Sequence, residues 1–395
     1  KLNIGELARG ISQKLAKLMQ LKRVGVLIFR DQKEYCCHEA FGFNSSKWDE
    51  FCLQSAQVLI DAIQKFRSES RFSVDYLPEE LRGNFFQSGF RHIIPIRFKN
   101  KLSGTLLIGE KLSEVPLLLE DLTFLAAVAK QTSVAIENSF LHTELAGQER
   151  LKHELEIARR IQMASLPQRT PNIAGLDIAG ISIPAMEVGG DYFDYLNGVT
   201  HDITVIVGDV SGKGTSAALY MSKIQGILRS LNEFKLTPRE LFIRANQLLC
   251  KDLDKNSFIT VIGASIDTIQ RRLVLARAGH LPLFYYQAQA RQVELLTPKG
   301  LGLGLNTAEI FSAELEEKII HYHTDDVFLF VTDGITEAKT RNGGEFGEQQ
   351  LIKTLEMNSS LSADKIRDQV IAAVNHFVAG SLQHDDQTVV VVKAR

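Results

Sequence analysis

Hydrophobic positions in the first 140 residues change period several times, which predicts an α/β unit. Residues 4–20 carry apolar side chains at helical spacing, 23–29 and 34–43 read as strands, and 48–66 returns to a helical pattern. Segments 90–98 and 103–109 predict a hairpin through the polar turn Lys99, Asn100 and Lys101. A helix rich in Ala and Leu over 118–141 closes the unit. The order strand, strand, helix, strand, strand, helix fits a small domain on an antiparallel sheet.

A charged helix is predicted over 137–166, with apolar residues at Leu141, Leu145, Leu151, Leu155, Ala158 and Ile161. Their spacing is an imperfect heptad, which fits either a solvated spacer or a parallel dimer helix. Pro167 and Pro171 stop it. The expected organisation is therefore a first domain over 1–140, a linker helix over 141–168 and a second domain over 169–395. Strand patterns then dominate, at 176–183, 191–196, 203–209, 259–267, 273–278, 281–287, 327–331 and 388–393. Helices are expected at 214–231, 238–252, 349–355 and 363–378. Many strands with few, clustered helices predict an α+β or layered αββα arrangement rather than alternating βαβ units.

Composition narrows the function classes. The chain has 395 residues, 45% hydrophobic and 23% charged, enough for two or three globular domains. A net charge of -2 gives no global reason to expect nucleic acid or an anionic membrane as partner. Cys36, Cys37, Cys52 and Cys250 form no CxxC pair, so a reducing compartment, the cytoplasm, is the expectation. No apolar run is long enough to span a bilayer. The chain starts at Lys1 rather than Met, as a piece of a longer protein would.

The candidate chemistry lies in aspartates that end or border strand-like runs: Asp191 after two glycines, Asp209 after Gly208, Asp333 before Gly334, and the pair Asp385 and Asp386. Carboxylates projecting from neighbouring strand ends make a set of hard oxygen ligands suited to Mg²⁺ or Mn²⁺. Each alone is more simply a turn or cap residue; their conjunction points to a metal site and to an enzyme. The stretch Gly208 to Thr215 is not a P-loop, because Val207 stands where the first glycine is needed and Gly214, not Ser or Thr, follows Lys213.

Two resemblances add to this reading. The segments beginning His92-Ile-Ile-Pro-Ile, Leu102-Ser-Gly-Thr-Leu-Leu-Ile-Gly-Glu, Leu119-Glu-Asp-Leu and Val134-Ala-Ile-Glu-Asn resemble the C-terminal half of a GAF domain. That implies a sensor fold with a small-molecule or protein ligand left unnamed; Cys36, Cys37 and His92 read as structural. Further on, Ile157 to Pro167, Val188-Gly-Gly-Asp-Tyr-Phe-Asp, Gly208-Asp-Val-Ser-Gly-Lys-Gly, Ala278-Gly-His-Leu-Pro, Gly302-Leu-Gly, Thr332-Asp-Gly-Ile-Thr-Glu-Ala, Phe346-Gly and Asp385-Asp-Gln-Thr occur in the order of the PPM-type metal-dependent protein phosphatases. They look most like the bacterial SpoIIE/RsbU branch.

This second resemblance implies two Mn²⁺ or Mg²⁺ ions. Asp209 would bridge them, with the Val210 carbonyl as an additional contact, Asp333 and Asp385 on the first ion, and Asp191 on the second directly or through water. Asp386 and Asp194 stand as rivals for neighbouring roles, with Asp385 favoured over Asp386. The implied activity is hydrolysis of phosphoserine or phosphothreonine on a STAS-domain anti-anti-sigma factor in a partner-switching pathway; the chain order adds regulation by the GAF-like domain, and the heptad-like linker helix suggests a homodimer. The alternative is a non-catalytic adaptor that uses the fold only to bind a partner.

The chain departs from the eukaryotic pattern at Ser211, where those relatives place a histidine that acts as general acid. His280 is an alternative acid, although its place between two strand runs favours a turn role. Arg271, Arg272 and Arg277 lie in or before a strand, which leaves Lys213 as a substitute for a phosphate-binding arginine.

Overall fold

The computed structural model describes residues 4–30, 34–65, 71–99, 101–197, 202–254 and 257–395. Asn100, the centre of the expected hairpin turn, lies outside them. Chain contacts divide the protein into two units, Lys1–Leu151 and Lys152–Arg395.

The first unit runs α1 (Ile4–Leu18), β1 (Val24–Arg30), β2 (Glu34–Phe41), α2 (Ser45–Lys65), β3 (Phe72–Ser73), α3 (Glu79–Gln87), β4 (Phe90–Phe98) and β5 (Lys101–Gly109), and then enters α4 (Leu119–Ser165). The strands form one antiparallel sheet in the order β2-β1-β5-β4-β3. β1 is apolar almost throughout because both its faces are covered. Val24, Val26 and Ile28 pack with Ala8 and Leu15 of α1 and with Leu125, Ala129 and Ile136 of α4. Leu27 and Phe29 pack on the opposite side with Trp48 and Phe51 of α2 and Leu81 and Phe85 of α3. Sequence pattern missed α3, whose Gly83 and uncapped start at Pro78 weaken the helical signal. The predicted helices over 118–141 and 137–166 are one continuous helix of 47 residues.

The second unit contains β6 (Leu176–Ile183), β7 (Tyr192–Asn197), β8 (Asp202–Val210), α5 (Thr215–Asn232), α6 (Pro238–Leu249), β9 (Ile259–Asp267), β10 (Arg272–Ala278), β11 (Leu283–Gln287), β12 (Gln292–Leu296), α7 (Ala308–Glu314), β13 (Glu317–His321), β14 (Val327–Val331), α8 (Asp333–Thr336), α9 (Gly347–Asn358), α10 (Ala363–Val378) and β15 (Gln387–Ala394). Two five-stranded sheets result, ordered β13-β10-β9-β8-β7 and β12-β11-β14-β15-β6. The alternation within β15 shows the layering. Val390 and Val392 join the core shared with Val205 and Val207 of β8 and with α5 and α6, while Val389 and Val391 pack against Leu351, Leu355, Ile366 and Val370 of α9 and α10. Each buried valine stabilises this αββα stack by about 1.5–3 kcal/mol relative to exposure. α6 starts at a capping box between Thr237 and Glu240 with Pro238 in its first turn, so its boundary was readable locally.

The strands missed in this unit, β12 and β13, are the outer strands of the two sheets. Their mixture of charged and apolar residues suits an exposed edge and weakens the strand signal. β11 begins at Leu283 rather than Leu281, since Pro282 has no N–H to give a ladder.

Candidate active site

The aspartates arrive from both sheets. Asp191 directly precedes β7, and Asp209 is the penultimate residue of β8, opposite Thr260 on β9. Across the sandwich, Thr332 and Asp333 follow β14, with Asp333 opening the one-turn helix α8, and Asp385 and Asp386 directly precede β15. Glycines allow the close approach between these segments. A Cβ on Gly189 would meet the Asp386 carboxylate, and one on Gly334 would meet the Asp386 carbonyl.

Electrostatics couples the carboxylates. Burial first, and then Asp333, Asp385 and Asp386, push Asp209 up to about 8. Asp191 is raised well above the carboxylate range by burial and by Asp209, against the opposing hydrogen bonds of Thr388 and Thr332. Burial and Asp385 raise Asp333. Such a group of mutually repelling acids favours a bound cation or proton. The donor set therefore fits hard divalent ions in kind. Among the described residues, no three acidic, histidine or cysteine side chains yet stand within common reach of one ion.

Asp385 Oδ2 receives the Lys213 ammonium at 2.7 Å, and the same ammonium donates to the His384 carbonyl at 2.7 Å. Asp386 acts as a latch: its Oδ1 accepts from Ala185 N at 2.8 Å, and its Oδ2 from Gly190 N at 2.7 Å and Asp191 N at 3.4 Å. Asp194 is held by Arg229 Nε at 2.6 Å, by the Tyr192 hydroxyl at 2.9 Å and by Tyr195 N at 2.9 Å. These bonds commit Asp386 and Asp194 to loop and strand structure, while the more exposed Asp385 also accepts from Asp386 N through Oδ1 at 3.0 Å. Ser211 is also committed, its hydroxyl accepting from Phe258 N at 2.8 Å. His280 is buried, which lowers it to about 3 and keeps it neutral; its Nδ1 lies 2.8 Å from the Thr260 hydroxyl. Arg277 donates to the carbonyls of Pro298 and His280 and so braces the turn. Lys213 brings a cation to the carboxylate group through its pair with Asp385.

Sequence reasoning missed several partners of the site. Gln162, near the end of α4, donates to Gly189 O at 2.7 Å and accepts from Gly189 N at 3.0 Å, two residues before Asp191. Gln225 and Arg229 of α5 both donate to Ser165 O at the end of that helix. Thr332 and Thr388 each donate to Asp191 Oδ2. Both threonines lie inside the quoted motifs, but nothing in a linear motif shows that they meet Asp191.

Comparison with known proteins agrees with this architecture. The SiaA-PP2C domain of Pseudomonas aeruginosa superposes with a TM-score of 0.57 at 19% identity, covering 63% of this chain and 99% of that domain. The RsbU and RsbW domains of a Mycobacterium tuberculosis protein give 0.50 at 22% identity, covering 58% of this chain and 63% of that one. The second unit thus has the PP2C fold, the class of the metal-dependent PPM protein phosphatases. In sequence, residues 200–395 match the family described as Stage II sporulation protein E (SpoIIE). The chain is 32% identical over 258 residues to the phosphoserine phosphatase RsbU of Bacillus subtilis (strain 168), covering 64% of this chain and 74% of that protein. It is 26% identical to Protein IcfG of Synechocystis over 60% of this chain, but spans only 41% of that relative. The chain belongs to the SpoIIE/RsbU branch of the PPM-type serine/threonine protein phosphatases.

Proposed function

We propose that this protein hydrolyses phosphoserine or phosphothreonine on a STAS-domain-like regulatory protein in a partner-switching pathway, using two Mn²⁺ or Mg²⁺ ions. The observation that carries this is the gathering of Asp191, Asp209, Asp333 and Asp385 at strand ends of both sheets, near enough for burial and acidic neighbours to push Asp209 up to about 8. Asp209, with the Val210 carbonyl, would hold both ions, Asp333 and Asp385 the first, and Asp191 the second. Bound there, such ions supply a water of lowered pKa and neutralise charge on the phosphoryl group. The chain's own contribution is placement. Asp386 fixes the loop that presents Asp191, and Lys213 brings a cation to the rim where a phosphoryl group would sit. With Ser211 bonded to Phe258 and His280 buried and neutral, neither serves as the source of the leaving group's proton.

The first unit supports a GAF-like sensor reading through its sheet order and its helices on both faces. Its ligand is unnamed. The continuity of α4 from Leu119 to Ser165 and the bonds from Gln162 to Gly189 support a transmission role for this helix, with its exposed Leu141, Leu145 and Leu151 available to a second copy. The cytoplasm is the proposed compartment; no helix among the described residues is long and apolar enough to cross a membrane. The test is Mn²⁺-dependent phosphate release from a phosphoserine STAS protein. Asp209→Asn is expected to lose more than about 100-fold, beyond the usual cost of removing an outer-shell partner. Equal rates for both proteins would leave the adaptor reading instead.

A further inference from the structure

Asp191 is almost fully buried, yet it lies at the active-site edge, and among the described residues no cation pairs with it. Its carboxylate is held by hydroxyls from the opposite sheet. Thr332 Oγ1 lies 2.7 Å and Thr388 Oγ1 2.6 Å from the same oxygen, Oδ2. Both threonines are fully buried.

Counting protons gives this arrangement a direction. Each hydroxyl has one proton to donate and can also accept. Thr332 Oγ1 accepts Thr388 N–H at 3.0 Å, so its own proton is available to Asp191. Thr388 Oγ1 lies 2.9 Å from Ser182 Oγ, its cross-strand neighbour on β6. With Asp191 ionised, the Thr388 proton goes to the carboxylate, and Ser182 becomes the donor to Thr388. Both donors then converge on Oδ2, which leaves Oδ1 as the oxygen for an ion.

We propose that Thr332 and Thr388 are positioning residues that grip Asp191 by Oδ2 and so present Oδ1 alone to the second divalent ion. This rests on the metal-dependent reading above and deepens it. The clamp also links three ligand-bearing segments, since Thr332 adjoins Asp333, Thr388 lies two residues after Asp386, and Asp191 directly precedes β7. Outer partners that orient a metal ligand characteristically govern affinity by 10–100-fold.

The test is calorimetric titration of Mn²⁺ into the metal-free full chain, with thermal unfolding as a fold control. Thr388→Val and Thr332→Val should each weaken one Mn²⁺ site about tenfold or more. Thr388→Ser keeps the hydroxyl and should bind within about twofold of the parent protein. In a cycle with Asp191→Asn, Thr388→Val should have no further effect on affinity, because the threonine acts through that carboxylate. Should Thr388→Val fail to fold, Thr332→Val probes the same oxygen and decides the matter. Unchanged Mn²⁺ affinity in folded valine variants, or effects that add fully to Asp191→Asn, overturns the clamp. If the parent protein itself binds no Mn²⁺, the metal-dependent reading fails rather than the clamp alone.

Discussion

The two units build five-stranded antiparallel sheets and cover them with helices, but they treat buried polarity differently. Among the described residues, the fully buried polar side chains of the first unit are all Ser or Thr. Its larger core centres on Trp48, Phe51, Phe85 and Phe90, whose ring centroids lie 4.9–6.3 Å apart where they pair. The second unit buries Asp191, Asp194, Asp326 and Asp386. Burying a charge is costly unless it is paired and hydrogen-bonded, so each such acid calls for an explanation.

Asp326 supplies the control within the second unit. It accepts from the Tyr285 hydroxyl at 2.6 Å, Ala288 N at 2.8 Å and His323 N at 2.8 Å, a set that explains it as a turn anchor. Asp209 instead faces other carboxylates and is raised to about 8. Asp326 is thus fully explained by its donors, whereas the neighbours that raise Asp209 are themselves acids.

The contrast can be broken first at its apolar end. Phe90→Ala should cost about 3–5 kcal/mol in the first unit. In denaturant unfolding of the full chain it should lower that unit's transition and leave Mn²⁺ affinity unchanged; a weakened metal site would show that the two chemistries are not separable. The next effect is one of pH. Asp209 has a folded pKa raised to about 8, above an unfolded value of about 3.9, so the stability it contributes is fully present below about 4 and lost as pH rises through about 8. The Tm of the metal-free protein should fall across that window, and Asp209→Asn should flatten the fall; an equally steep profile in the variant would contradict the assignment. The smallest effect belongs to Lys213, which shares an exposed ion pair with Asp385. Removing that competitor in Lys213→Gln should tighten Mn²⁺ binding by about two- to fivefold, the worth of an exposed pair. Weaker binding would mean that the lysine assembles the site instead of competing for it.

Much of the fold was legible because its interior elements follow strict periods. β1, β14 and β15 are apolar runs that few other structures accommodate, and α6 announces its start by its cap. The edge strands β12 and β13 were not legible, since an edge needs only one buried face and tolerates charge. The same limit applies to the site. The acids were visible as residue types beside glycine, whereas their partners were visible only as ordinary Thr, Gln and Arg.

Sequence alone determined the order of the two units, the phosphatase class and the oxygen chemistry of the candidate centre, because these depend on local period, residue type and motif order. Only the tertiary structure decided how the acids divide their work. Asp386 latches the Gly190 loop, Asp194 pairs with Arg229, Asp385 pairs with Lys213, and Thr332 and Thr388 grip Asp191. The bonds that Asp386, Thr332 and Thr388 make here join residues 141 to 197 positions apart. Hydrogen bonds are short and directional, so which donor holds which carboxylate is settled only when the two sheets bring their strand ends together.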